Sequence, residues 1–364
     1  MSVKQIKVLI TTQKNKENLQ YSSNFTDEKL KIILEDLISY GKSAGADFVE
    51  IFLENTEHLS VLAEQNIITS VSPSFGKGAG IRVFKGNKDG FVSTNDLTRE
   101  GLFYSLQQAL GMLALSSTNK KINNFNGLLD LFDYGKTKHD WYKDTPDLIE
   151  ASQKLLFSTS CIEKHGKHIQ ARRASFSKSI QEVLIAASDG TFGRDIRLHQ
   201  SFGVNVLASD KDHRSSIGRR YGTSGKPNQL REWDANSTAE EICESTNTML
   251  YADYLEAGQM PAVLANKFGG VIFHEACGHL LETTQIERGT SPFINKIGQK
   301  IANTAVTAID EGFTDGAFGS LSMDDEGMEP EKTVLIEKGI LRKFLSDRAG
   351  QLRTGHPRTG SGRR

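Results

Sequence analysis

The sequence predicts an α+β protein, with a helix and antiparallel-sheet domain first and a mixed α+β domain after it. Two observations carry that reading. Runs with helical periodicity flank blocks of β-type runs instead of alternating with them one for one. The turns between the β-type runs are short and rich in Gly, Asn and Asp, which suits hairpins. With 364 residues the chain is long enough for two domains with substantial cores.

Taken in order, Met1 to Ile10 holds lysines inside its one apolar patch, and the stretch to Asn24 is polar. This lacks the apolar run of a secretory signal, so residues 1–25 read as a flexible extension. Residues 27–44 place Leu30, Ile33, Leu34, Leu37 and Ile38 at helical spacing. Residues 49–53 and 59–63 read as strands, and 80–84 and 90–94 as a hairpin around the 85–89 turn. A helix is expected over 98–114, closing an N-terminal α+β domain at 26–130. The polar residues 116–124 read as a loose connection.

A middle α+β segment spans 131–255. It offers a helix at 146–164, β pattern from 169 to 208 with a turn at Asp189-Gly190, and a helix at 238–252 capped by Ser237 or Thr238. Residues 256–364 form the last region. Here 260–265 read as a short buried strand, 266–285 as one helix entered through Gly269-Gly270, and 334–336 with 340–345 as strands around Lys338-Gly339.

That last helix holds the most informative string in the chain, Phe273-His274-Glu275-Ala276-Cys277-Gly278-His279-Leu280-Leu281-Glu282. Two imidazoles can hold a divalent metal while the carboxylate faces the water that the metal activates. The histidines are five residues apart, about 140° around a regular α-helix at about 100° per residue, too far to share an ion. A π-bulge would return them to one side, and Gly278 is the residue expected to permit it. His274 and His279 are thus the candidate metal ligands and Glu275 the candidate general base, with buried, hydrogen-bonded histidines as the competing explanation. Cys277 reads as core packing. Glu282 could swing in as a ligand, but orienting a ligand or capping a neighbour suits it better.

Three strings in order resemble the TldD/PmbA family of zinc metallopeptidases, also called modulators of DNA gyrase. They are His274 to Glu282; Gly319 to Pro330 with Thr333 to Leu341; and Gly45 to Glu50 with Gly78 to Phe84 and Gly90 to Thr94. The metal string matches the TldD-type member. The resemblance implies that the mixed domain is metallopeptidase-like. It also implies Zn2+, with a third protein ligand that is a cysteine beyond the end of this chain, so that 256–364 is expected to be an incomplete, C-terminally truncated domain. It implies a peptide substrate, unfolded or short, admitted to a closed cavity in a homodimer or in a heterodimer with a PmbA/TldE-like paralogue. The substrate would dock as an added β-strand. The alternative is a non-catalytic peptide-binding or scaffold subunit of such a complex. Substrate-binding residues are not identifiable from the sequence.

Charge is balanced, with 44 Lys and Arg against 45 Asp and Glu and no long run of one sign. Neither nucleic acid nor a membrane is expected as a direct partner. Three cysteines without a C-x-x-C pair suit reduced thiols in the cytoplasm. The triple Gly76-x-Gly78-x-Gly80 reads as hairpin punctuation, Asp324 to Gly327 as a turn or groove edge, and the His356 region as a solvated loop.

Overall fold

The computed structural model describes residues 28–116, 125–135 and 144–363. The expected extension at 1–25 and all but the first residue of the connection at 116–124 lie outside the described residues.

Helix α1 (Glu28–Ser43) buries Leu34, Leu37 and Ile38, the stripe its sequence spacing anticipates. A meander follows of β1 (Phe48–Glu64), β2 (Ile67–Lys85) and β3 (Lys88–Thr94). Helix α2 (Arg99–Met112) is capped by Thr98, whose side chain accepts from the Gly101 amide. After the short β4 (Phe132–Asp133) comes α3 (Leu148–His165), which opens in a reciprocal capping box between Asp147 and Glu150. A second meander has β5 (Ile169–Ala187), β6 (Phe192–Asp210) and β7 (His213–Ser224). Helices α4 (Gln229–Glu232) and α5 (Ala235–Leu250) complete this part.

These strands form one sheet in the order β3-β2-β1-β5-β6-β4, with β7 also on β6. The β1–β5 ladder runs antiparallel from Glu50↔Ala187 to Glu64↔Arg173. The sequence-derived border at 130 therefore falls inside a shared sheet.

The strands are longer than the sequence pattern suggests. The expected pair at 49–53 and 59–63 is one strand. Its polar stretch, Glu54 to His58, is half-buried and paired, and Glu54 accepts from Gln181 Nε2 at 2.7 Å. Gly76, Gly78 and Gly80 are not turn residues. They lie within β2, and a Cβ at Gly80 would press the Phe91 ring at 3.0 Å. Pro73 is tolerated because β3 joins β2 only from Ala79 onward. Helix α5 begins earlier than expected. Asp234, not Ser237 or Thr238, caps it by accepting from the Asn236 and Ser237 amides.

One face of the sheet carries two helix pairs. Leu34, Leu37 and Ile38 of α1 and Leu102 and Leu106 of α2 pack on Ile51, Leu53, Ile81 and Leu184. Leu155 and Ile162 of α3 and Ile242 of α5 pack on Leu59, Val61, Phe176 and Phe202. On the same face, fully buried Arg194 pairs with Glu182 at 2.5 Å and with Asp133 at 2.9 Å. The other face meets the C-terminal part, where Met323 packs on Phe52, Val183 and Ile185. Arg197 there holds Asp325 at 2.6 Å and the Met323 carbonyl at 2.8 Å. Arg348, in α7 (Arg348–Thr354), reaches Asp189 at 3.0 Å and lies 3.8 Å from the Phe48 ring centre.

The C-terminal part has its own sheet of β8 (Ala308–Glu311), β9 (Lys332–Glu337) and β10 (Ile340–Leu341). Its core gathers Leu281, Ala308, Leu335, Ile336, Leu341 and Phe344. The expected strand at 260–265 is absent. Those residues are exposed, Val263 completely, and pair with no strand among the described residues. The His356 region is no solvated loop. Arg353 joins Asp89 and Glu287, Arg358 joins Glu326, and Thr359 is buried. Asp324 to Gly327 is a structural turn, with Asp324 accepting from the Glu326, Met328 and Gly362 amides.

Candidate metal centre

The single helix expected over 266–285 is broken into short pieces. A 3-10 turn (Lys267–Gly270) and one α-turn (Val271–Phe273) lead into a π-helix at His274–Gly278. A 3-10 turn (His279–Leu281) follows, Glu282 is extended, and α6 (Thr283–Glu287) begins beyond it. The π geometry is the one the five-residue spacing requires: the His279 amide donates to the His274 carbonyl. Gly278 does not supply it by unusual backbone freedom, since its φ of −55 and ψ of −53 are ordinary right-handed helix. A Cβ there would sit 3.6 Å from His274 Nδ1, an ordinary contact, so the ring does not require a glycine at this position either.

Packing fixes which side faces out. Leu281 is fully buried and Cys277 packs against the same small core, which turns one side of the segment inward. Burial pushes the Cys277 thiol pKa up, as suits a packing residue. His274, Glu275 and His279 lie on the opposite side. The two imidazole centres are 4.4 Å apart with ring planes at 66°. One donor atom from each of the three side chains lies within 4.8 Å of the others. Among the described residues no other group of three His, Cys, Asp or Glu side chains converges in this way.

His279 has distinct neighbours at its two nitrogens. Nε2 is 3.8 Å from Glu275 Oε2, and Nδ1 is 2.8 Å from Glu282 Oε1. The Glu282 hydrogen bond and charge, with a smaller contribution from Glu275, raise the His279 pKa. The side chains are open to solvent, 46% for His279 and 64% for Glu275, so these charge effects are screened.

Two neutral imidazoles that can meet one ion across a turn suit a borderline divalent cation such as zinc, and a carboxylate beside them suits proton transfer. Cys161 and Cys243 are buried in the sheet core and take no part. Glu282, which the sequence offers as a ligand or, better, as a residue that orients one or caps a neighbour, stands against His279 Nδ1. Its position three residues after His279 is the signal for that reading.

Three profiles match the chain in order: PmbA/TldA metallopeptidase domain 1 at residues 49–113, the central domain at 139–250 and the C-terminal domain at 257–364.

The chain belongs to the TldD/PmbA family.

A metalloprotease TldD homolog from Buchnera aphidicola is 29% identical over 361 residues, covering 96% of this chain and 72% of that protein. A zinc metalloprotease TldD homolog from Saccharolobus solfataricus is 23% identical, covering 90% of this chain and 70% of that protein. Among solved structures, a Thermotoga maritima protein described as a modulator of a DNA gyrase superposes with a TM-score of 0.71. At 16% identity over 91% of this chain and 74% of that one, the likeness is one of fold. No helix among the described residues is long and apolar enough to cross a membrane.

Proposed function

We propose that this chain is the metal-bearing subunit of a peptidase, with His274 and His279 as zinc ligands and Glu275 as general base. The observation that carries this reading is the π-turn that brings both imidazoles together with the Glu275 carboxylate 3.8 Å from His279 Nε2. Bound zinc would act as a Lewis acid on the scissile carbonyl and make water a stronger acid. Glu275 takes a proton from the attacking water and later returns it to the leaving amine. His274 and His279 remain neutral and hold position. The family resemblance implies a cysteine as the third ligand. The substrate is an unfolded or short peptide, bound by main-chain pairing in a cytoplasmic homodimer or a heterodimer with a PmbA/TldE-like paralogue.

A non-catalytic, peptide-binding subunit is the second reading. It is favoured by the described residues supplying two imidazoles where a catalytic zinc takes three protein ligands. Metal analysis and peptide cleavage separate the two. The peptidase reading expects bound zinc that is lost in His274→Ala, and a Glu275→Ala variant that keeps zinc while cleavage drops about 10²–10⁴-fold. Cleavage that survives Glu275→Ala removes Glu275 from its role. Absence of zinc at stoichiometric supply leaves the binding subunit.

A further inference from the structure

We propose that Glu282 is a positioning residue: its carboxylate fixes the His279 imidazole as the Nδ1–H tautomer and presents Nε2 to the metal. The inference rests on the metal-site reading above and deepens it. A neutral imidazole has one N–H and one lone pair, and whichever nitrogen donates a hydrogen bond leaves the other free to ligate. At 2.8 Å from His279 Nδ1, the Glu282 carboxylate can only accept, so Nδ1 carries the proton. The other nitrogen, Nε2, is the one that faces Glu275. Both ends of the ring are therefore assigned by their neighbours.

The backbone makes Glu282 a firm base for this contact. Its neighbours on both sides are hydrogen-bonded to Leu345. The Leu345 amide donates to the Leu281 carbonyl at 2.9 Å, and the Thr283 amide donates to the Leu345 carbonyl at 2.8 Å. Leu281 is buried on one side, and α6 starts on the other with the Gln285 amide donating to the Glu282 carbonyl at 3.0 Å. The extended conformation of Glu282, φ −84 and ψ 139, ends the 3-10 turn at the residue whose side chain returns to His279. The break in the helix is thus the device that places a carboxylate behind the ligand.

The test uses the purified chain, zinc with a competing chromophoric chelator, and 15N spectra of the histidine rings without metal. Expected results are a His279 ring protonated at Nδ1 in the wild type, mixed tautomers in Glu282→Ala, and zinc affinity about 10–100-fold weaker in that variant. Glu282→Gln, whose amide oxygen still accepts, should restore the Nδ1–H tautomer and part of the affinity. An Nε2–H ring in the wild type, or unchanged zinc affinity in folded Glu282→Ala, overturns the role of Glu282 alone. A wild-type chain that binds no zinc overturns this role together with the metal site.

Discussion

The seven-stranded sheet and the metal segment solve opposite problems. The sheet repeats one pattern over long strands: the β1–β5 ladder alone pairs fifteen successive residues without a break. Its side chains alternate between two faces, and each face has a cover. The metal segment holds no pattern for more than five residues. It passes from 3-10 to α to π to 3-10 geometry within fifteen residues, 267–281. Leu281 and Cys277 pack its 271–281 stretch inward, and the Ser291 hydroxyl donates to the Leu280 carbonyl. Repetition lets many weak contacts add up, whereas a ligand site needs a few atoms in particular places. The site is therefore tied down by the small C-terminal core and the pairing with Leu345 as well as by its own π-turn hydrogen bond.

The comparison can be broken at either end. The largest stability effect belongs to the sheet. Arg194→Ala would leave Glu182, itself almost wholly buried, with an uncompensated charge, and should cost about 3–5 kcal/mol. Urea unfolding measures this. Unchanged stability would mean that the Arg194 pairs with Glu182 and Asp133 do not help to hold β6 to β5 and β4. Next comes Leu281→Ala, which removes the fully buried anchor of the metal segment at about 2–4 kcal/mol. Hydrogen exchange should quicken over 274–287 while the β1–β5 ladder stays protected. Equal quickening of both would show that the two regions do not differ in the way described.

The smallest effect lies where the sheet meets the C-terminal part around Phe318. Burial first, then the Arg363 and Arg197 charges, lower the pKa of His199, whose Nδ1 is 2.9 Å from Ser224 Oγ. Ser224 and Thr223 in turn hold the Phe318 and Gly316 carbonyls of the C-terminal part. Because His199 is neutral in the fold and its folded pKa lies below the ordinary value, its contribution is complete above about pH 6.5. It is lost as pH falls through the folded value. Stability measured from pH 7 downward should therefore decline, and His199→Gln should flatten that decline. A variant with the wild-type slope would remove His199 as the cause.

Much of the fold was legible where side chains repeat. The stripe Leu30, Ile33, Leu34, Leu37 and Ile38 gives α1 from spacing alone. The 260–265 strand, by contrast, was inferred from apolar content and is absent, since apolar residues become a strand only when a neighbouring strand accepts their backbone. The far half of β2, with its Ser, Pro and Gly residues, shows the converse: β1 holds it extended despite weak local preference. At the site, the π-turn followed from histidine spacing, whereas the stop after Leu281 did not. That stop depends on a pairing with Leu345, more than sixty residues away.

By itself the sequence determined which chemistry is on offer: two imidazoles and a carboxylate at a spacing that an underwound, π-type turn reconciles, and a family resemblance along most of the chain. Tertiary structure alone decided how long the strands run, that residues either side of 130 share a sheet, and which nitrogen of His279 the Glu282 carboxylate meets. The reason is one of range. Helical spacing and ligand order are local and written in consecutive residues, whereas strand length, shared sheets and the support of a ligand depend on partners that the chain meets only after it folds.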